Sequence, residues 1–120
     1  MEKRYRLRKN LEFEKVYISK NNYWNRNLVL YKRKNNLEYS RIGISVSKKI
    51  GNAVIRNKVK RRIREISRLH LHRIKDGYDL IFIPKKNVVD ISYEELESAF
   101  IHILKISNML EIWKNRCKNG

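Results

Sequence analysis

The sequence predicts an α+β fold, a sheet with helices packed on it in the order α-β-β-(β)-α-β-α. Three observations carry that prediction. "NLVLYKR" (27–33) and "RIGISVS" (41–47) alternate apolar and polar residues, as half-buried strands do. "YDLIFIP" (78–84) is apolar almost throughout, which suits an inner strand ended by Pro84. Three other segments place apolar residues at helical spacing behind a residue able to cap a helix.

The elements follow in order. Asn10 can cap a short helix in which Phe13, Val16 and Tyr17 recur at i, i+3, i+4. There is room for a short strand near Tyr23–Asn25, and then come the strands 27–33 and 41–47, joined by the loop "KNNLEYS". Ile42, Ile44 and Val46 share one face, and pairing these two strands as antiparallel neighbours is the simplest arrangement. Asn52 is positioned to cap the next helix. At about 100° per residue, Ile55, Val59, Ile63, Ile66 and His70 fall on one stripe, while Asn57, Arg61, Arg64 and Arg68 gather near the opposite pole. Gly77 ends this region and the strand 78–84 follows. Ser92 and Glu95 form a capping-box pattern for a final helix, whose stripe is Leu96, Phe100, Ile103, Leu104 and Leu110.

The 120 residues suit one domain, 1–120, without internal repeats, Gly/Ser linkers or low-complexity tracts. The longest strongly apolar run, "LIFI", is far short of a membrane span, and the N-terminus "MEKRYRLRKN" has no apolar signal region. The lone Cys117 cannot form an internal disulfide, which fits a reducing compartment. A cytoplasmic protein is expected.

Charge is the strongest functional signal. The net charge is +17, and it is concentrated: residues 1–75 hold 23 Lys and Arg against 5 Asp and Glu, whereas residues 76–120 hold 6 against 7. "RNKVKRRIRE" (56–65) carries six cations and one acid, Glu65. On a helix, Arg56/Lys60, Lys58/Arg62, Lys60/Arg64, Lys58/Arg61 and Arg61/Arg64 are like-charge neighbours, together unfavourable by about 1–3 kcal/mol. A polyanion would offset that cost. The apolar side of the helix is made of Ile and Val that read as core, not of the aromatics and leucines of an interfacial helix, so the polyanion is nucleic acid and not a membrane. Arginine suits the task because its planar fork pairs with two phosphate oxygens. Phe13, Tyr17 and Tyr31 are candidate platforms for unpaired bases, or three aromatics filling a small core; spacing alone does not choose between them.

Catalytic signals are weak. The only aspartates are Asp76, Asp79 and Asp90, and no two-metal carboxylate pattern appears. His70 and His72 diverge on a helix, His102 is isolated, and one cysteine cannot complete a zinc-ligand set. No catalytic residue and no metal ligand is assigned to the chain.

At "RIGISVSKKIGNAVIRNKVKRRIRE" (41–65) the sequence closely resembles the protein subunit of bacterial ribonuclease P. The family's hallmark, an Arg-Asn pair opening a basic helix, is matched by Arg56, Asn57, Lys60, Arg61 and Arg64; "RLRKNLEFEKVY" resembles its N-terminal segment and "LVLY" its first long strand. The resemblance implies an α/β sandwich of the ribosomal S5 domain 2-like type with a left-handed β-α-β crossover, where general rules favour a right-handed one. It implies an accessory subunit of an RNA-based endonuclease, whose catalytic RNA works with Mg2+ to remove the 5′ leader of precursor tRNA. Arg56, Asn57, Lys60, Arg61 and Arg64 would then face the catalytic RNA, with Lys58, Arg62 and Arg68 beside them. Phe13, Tyr17 and Tyr31 would line a cleft for the single-stranded leader, and Lys48 and Lys49 would meet its phosphates. No membrane and no obligate protein partner is implied. Many relatives have Phe at the position of Tyr17, so stacking is kept and a hydroxyl added. The competing readings are a general RNA-binding module and a protein-only nuclease.

Overall fold

A computed structural model of the chain describes residues 2–111; Cys117 and the end of the expected domain lie outside them. The elements are α1 (Asn10–Ile18), β1 (Asn22–Trp24), β2 (Leu28–Lys34), β3 (Arg41–Ile44), α2 (Ala53–His70), β4 (Tyr78–Pro84) and α3 (Tyr93–Ile106). The element order and crossover agree with the expected α+β sandwich.

The four strands form one sheet in the order β1-β2-β4-β3. β4 is antiparallel to β2 and parallel to β3, to which it is joined through α2. The expected pairing of the strands 27–33 and 41–47 is therefore wrong: β4 lies between them. Its residues explain why. Leu80 and Phe82 are buried on one face and Ile81 on the other, so β4 needs cover on both sides and takes an inner position. β3 keeps an outer position, and its free edge is covered by the N-terminal segment, where the Leu7 N–H donates to the Ile42 carbonyl at 2.9 Å.

α2 and α3 cover one face of the sheet. Val59, Ile63 and Ile66 of α2 and Leu96, Phe100, Ile103 and Leu104 of α3 enclose Leu28, Leu30, Ile42, Leu80 and Phe82, with the rings of Phe82 and Phe100 stacked 4.5 Å apart. α1 covers the other face, where Leu7, Val16 and Ile81 are buried and Phe13, Tyr17, Tyr31 and Ile83 pack around them.

Two of the three expected caps hold, and the apolar stripe of α3 ends earlier than expected. Asn52 accepts from the Ile55 N–H at 3.0 Å, and Ser92 from the Glu95 N–H at 3.1 Å. Asn10 does not cap α1 but begins it; the Glu12 carboxylate reaches back to the N–H groups of Arg8 and Lys9 at 3.2 and 3.1 Å. Leu110 is buried, yet it lies beyond α3: the chain turns through a left-handed Asn108 and Leu110 bridges to Ile74.

Candidate nucleic-acid interface

α2 presents its cations because its apolar stripe fixes how it is rolled. With Val59, Ile63 and Ile66 buried, the helical repeat sorts the polar residues into three ridges. Asn57, Arg61 and Arg68 are exposed at the outer pole, where Arg68 pairs with Glu65 at 2.6 Å. Lys58 and Arg62 lie on one flank. Arg56, Lys60 and Arg64 run at i, i+4, i+8 along the other and are half-buried. Arg56 turns back so that its Nη1 donates to the Gly51 carbonyl at 2.8 Å. His70, on the apolar stripe as expected, meets Glu97 of α3 with Nε2 to Oε2 at 2.7 Å.

Arg64 departs from the sequence reading, which put it at the outer pole. It leans instead toward β3 and the N-terminal segment. Burial lowers the pKa of its guanidinium, and the nearby charge of Arg6 lowers it further. Arg6, Arg8, Lys60 and Arg64 surround a hollow of about 240 Å³ whose apolar wall is Phe13, Ile42 and Ile44. No described carboxylate pairs with any of these four cations.

A second hollow, about 420 Å³, opens on the other side of Phe13, between α1 and the end of β3. Phe13, Tyr17, Ile44 and Ser45 line it, with Asn10 and Glu14 at its rim. Tyr31 supports it from below, its ring edge-on to Tyr17 at 5.0 Å between centroids. The structure thus brings Phe13, Tyr17 and Tyr31 together on the face opposite α2 and α3, half-buried and partly open. Lys48 and Lys49 are exposed on the turn before α2 and line neither hollow.

Arg41 fastens α1 over this region. It makes two bonds to Asp79, Nε to Oδ1 at 2.9 Å and Nη2 to Oδ2 at 2.7 Å, and a third from Nη1 to Glu12 Oε2 at 2.7 Å. Burial tends to raise the pKa of Glu12, but the Lys9 and Arg8 N–H groups and the Arg41 guanidinium outweigh it and hold the carboxyl below its ordinary value.

A larger concavity lies elsewhere, about 740 Å³ between the β1–β2 turn and α3. Asp90, Glu94 and Glu95 line it against the single cation Arg26, a charge balance unsuited to phosphate.

A family model described as Ribonuclease P matches residues 1–108 of the chain. The chain belongs to the ribonuclease P protein family. It is 45% identical over 105 residues to the ribonuclease P protein component of Alkaliphilus oremlandii, covering 88% of this chain and 92% of that one. Among solved structures it resembles a Staphylococcus aureus RNase P protein mutant with defective mRNA degradation activity, with TM-score 0.85, 40% identity, and 91% and 92% of the two chains covered. It also resembles the RNase P protein of Thermotoga maritima, with TM-score 0.78, 34% identity, and 83% and 94% covered. The chain is accordingly an accessory subunit of an endoribonuclease that processes the 5′ end of tRNA.

Three residues that shape these hollows are not singled out by sequence patterning. Arg6 and Arg8 flank the buried Leu7 in "RLRK", a period-two signal that could have marked a covered edge segment with cations on its open side. Arg41 looked like one more cation, and only the fold reveals that it is spent on Asp79 and Glu12.

Proposed function

We propose that the subunit holds the single-stranded 5′ leader of precursor tRNA in the groove of Phe13, Tyr17 and Tyr31 while α2 faces the catalytic RNA. One observation carries the reading: Phe13 is the common wall of two hollows, one ringed by Arg6, Arg8, Lys60 and Arg64, the other floored by aromatic rings. Phosphates and bases of one strand would find adjoining surfaces of the right chemistry there. Arg56, Asn57, Lys60, Arg61 and Arg64 contact the catalytic RNA, with Lys58, Arg62 and Arg68 extending the contact around the helix. Lys48 and Lys49 meet phosphates at the turn before α2. The chain works as one ribonuclease P domain in the cytoplasm, with RNA as its partner and no obligate protein partner.

The catalytic centre lies in the RNA, and so does the Mg2+ that the family's chemistry implies. The described residues do not fit that ion: no group of three His, Cys, Asp or Glu side chains among them is placed to hold a metal, Glu14 is the one acid lining the groove, and Glu12 and Asp79 are both engaged by Arg41. The protein's share is therefore to bind, orient and neutralise charge.

The test is 5′-leader cleavage of a precursor tRNA at low magnesium by a bacterial ribonuclease P RNA, with and without this protein. Stimulation is expected, with loss in the Arg61→Ala/Arg64→Ala double variant and no cleavage by protein alone. A folded protein that binds RNA without stimulating cleavage would instead be a general RNA-binding module.

A further inference from the structure

The aromatic groove does not end at Tyr31. In the β1–β2 ladder Tyr31 pairs with Asn22 and Val29 with Trp24, so Trp24 is the diagonal neighbour of Tyr31 on the same face of the sheet. Such diagonal neighbours lie about 7–8 Å apart, within reach of one another's aromatic side chains. Tyr23, between Asn22 and Trp24 in sequence, points to the α2/α3 side and packs on that core, which confirms the alternation. Val29 in turn pairs with Ile83 of β4, and beside Ile83 the chain leaving β3 donates from the Ser45 N–H to the Phe82 carbonyl at 3.0 Å. Ser45, Ile83, Val29 and Trp24 are thus one row across the sheet, starting at the wall of the groove and ending at the outer edge, about 14 Å away at ordinary strand spacing.

That row is incompletely covered: Val29 and Ile83 are half-buried, and Trp24 is 64% exposed at the end of an edge strand. That face carries cations without acids from the same stretch of chain: between Glu14 and Glu38 there is no acid, strand alternation puts Arg33 on the face of Val29 and Tyr31, Lys15 belongs to α1, which covers that face, and Lys85 follows Ile83 by two residues, whereas Lys32 is turned into the α2/α3 core. An indole left in water, diagonal to Tyr31 on a face that carries cations, has the chemistry that holds an unpaired base by its face, with charge nearby for the phosphates.

We infer that Trp24 is a further stacking platform for the leader, taking a base farther from the cleavage site than those held by Phe13, Tyr17 and Tyr31, so that it sets how much leader the subunit senses. The direction follows from the sheet order: α2 and its cations lie on the β3 side, and β1 is the opposite edge. A strand leaving the RNA-facing side through the groove exits over Trp24. The inference rests on the leader-groove reading above, and its test separates the two.

The protein reconstituted with a bacterial ribonuclease P RNA is titrated against precursor tRNAs with leaders of graded length. The readout is the ratio of affinity for long over short leaders. Trp24→Ala is expected to lower that ratio about fivefold or more, while Trp24→Phe keeps most of it, because a ring face is retained. In a Trp113→Phe background Trp24 is the only tryptophan, and its fluorescence should be quenched by long-leader precursor but not by mature tRNA. An unchanged ratio in Trp24→Ala, with Tyr17→Ala still lowering leader affinity, overturns the inference and leaves the groove standing. An unchanged ratio and affinity in both variants overturns the groove and this inference with it. Quenching on raising protein concentration without RNA would assign the edge to self-association and also overturn the inference.

Discussion

The ring of Phe13 occupies the space that a side chain on Gly43 would need. A Cβ on Gly43 would sit 2.7 Å from Cζ and 2.9 Å from Cε2 of Phe13, closer than carbon atoms approach without something moving. The missing side chain in β3 lets α1 lay an aromatic ring against the sheet, and that ring divides the cationic hollow from the aromatic one. Gly43→Ala should therefore push Phe13 out of place. The expected cost is about 1–3 kcal/mol in urea unfolding, accompanied by weaker discrimination of precursor over mature tRNA. A variant of wild-type stability and discrimination would show that the ring swings aside freely and does not shape the groove.

Arg41 carries a heavier structural load than its place among 29 Lys and Arg suggests. Asp79 is only 1% exposed, and besides Arg41 it accepts from Asn35 Nδ2 at 2.9 Å. Arg41→Ala leaves that carboxylate with a neutral partner alone. Stranding a buried charge costs about 3 kcal/mol or more, and the same change frees α1 from the sheet. Chemical unfolding should register the loss, whereas an exposed cation such as Lys58 changed to Ala should move stability by no more than about 0.5 kcal/mol.

Glu12 gives the α1 docking a pH dependence of definite sign. Its carboxyl is held below the ordinary value in the folded protein, so the unfolded chain binds the proton more readily. The stabilisation is complete above the ordinary glutamate value of about 4.3 and is lost as pH falls through the lower folded value. Glu12→Gln keeps the shape and removes the charge. Unfolding free energies from pH 7 down to 3 should show the variant less stable by about 1 kcal/mol at neutral pH, with the gap closing in acid. A gap that stays constant with pH would mean that the ionisation of Glu12 contributes nothing to the docking.

Much of this was legible in the chain, for reasons that differ from element to element. The basic helix was readable because Val59, Ile63 and Ile66 repeat at the helical period and Asn52 precedes them; local signals sufficed. β4 was readable as an inner strand because it is apolar on both faces. Its neighbours were not, since "inner" does not say between which strands, and the chain pairs β2 and β3 with a strand that comes later in sequence. Gathering Phe13, Tyr17 and Tyr31 took the docking of α1 across β2, which spacing cannot supply. Lys32 is the clearest case of what patterning hides. It reads as one of three successive cations, yet it is buried, with Nζ on the Ser107 carbonyl at 2.7 Å and the rings of Tyr23 and Tyr78 at 5.3 and 5.4 Å. It closes the C-terminal end of α3, where backbone carbonyls favour a cation, and burial lowers its pKa. Strand alternation does place Lys32 on the face of Leu28 and Leu30; its charge disguised it as a surface residue.

The unpaired cations around Phe13 lead to a prediction about salt. Arg6, Arg8, Lys60 and Arg64 converge without a described carboxylate among them, and Arg64 is half-buried beside Arg6, so the free protein carries local repulsion that a bound anion would relieve. General screening acts through ionic strength and is alike for all salts, whereas occupation of a built site depends on the anion's charge and its oxygen acceptors. Sulfate or phosphate should raise the melting temperature more than chloride at equal ionic strength, and Arg64→Ala should shrink the difference. The same cations set the salt dependence of RNA binding, each neutralised single-strand phosphate adding about −0.7 to the slope of log affinity against log salt. The Arg61→Ala/Arg64→Ala double variant should therefore flatten that slope by about 1 to 2. Equal melting shifts in the two salts would leave no preformed anion site, and an unchanged slope would place the RNA contacts of α2 on other residues.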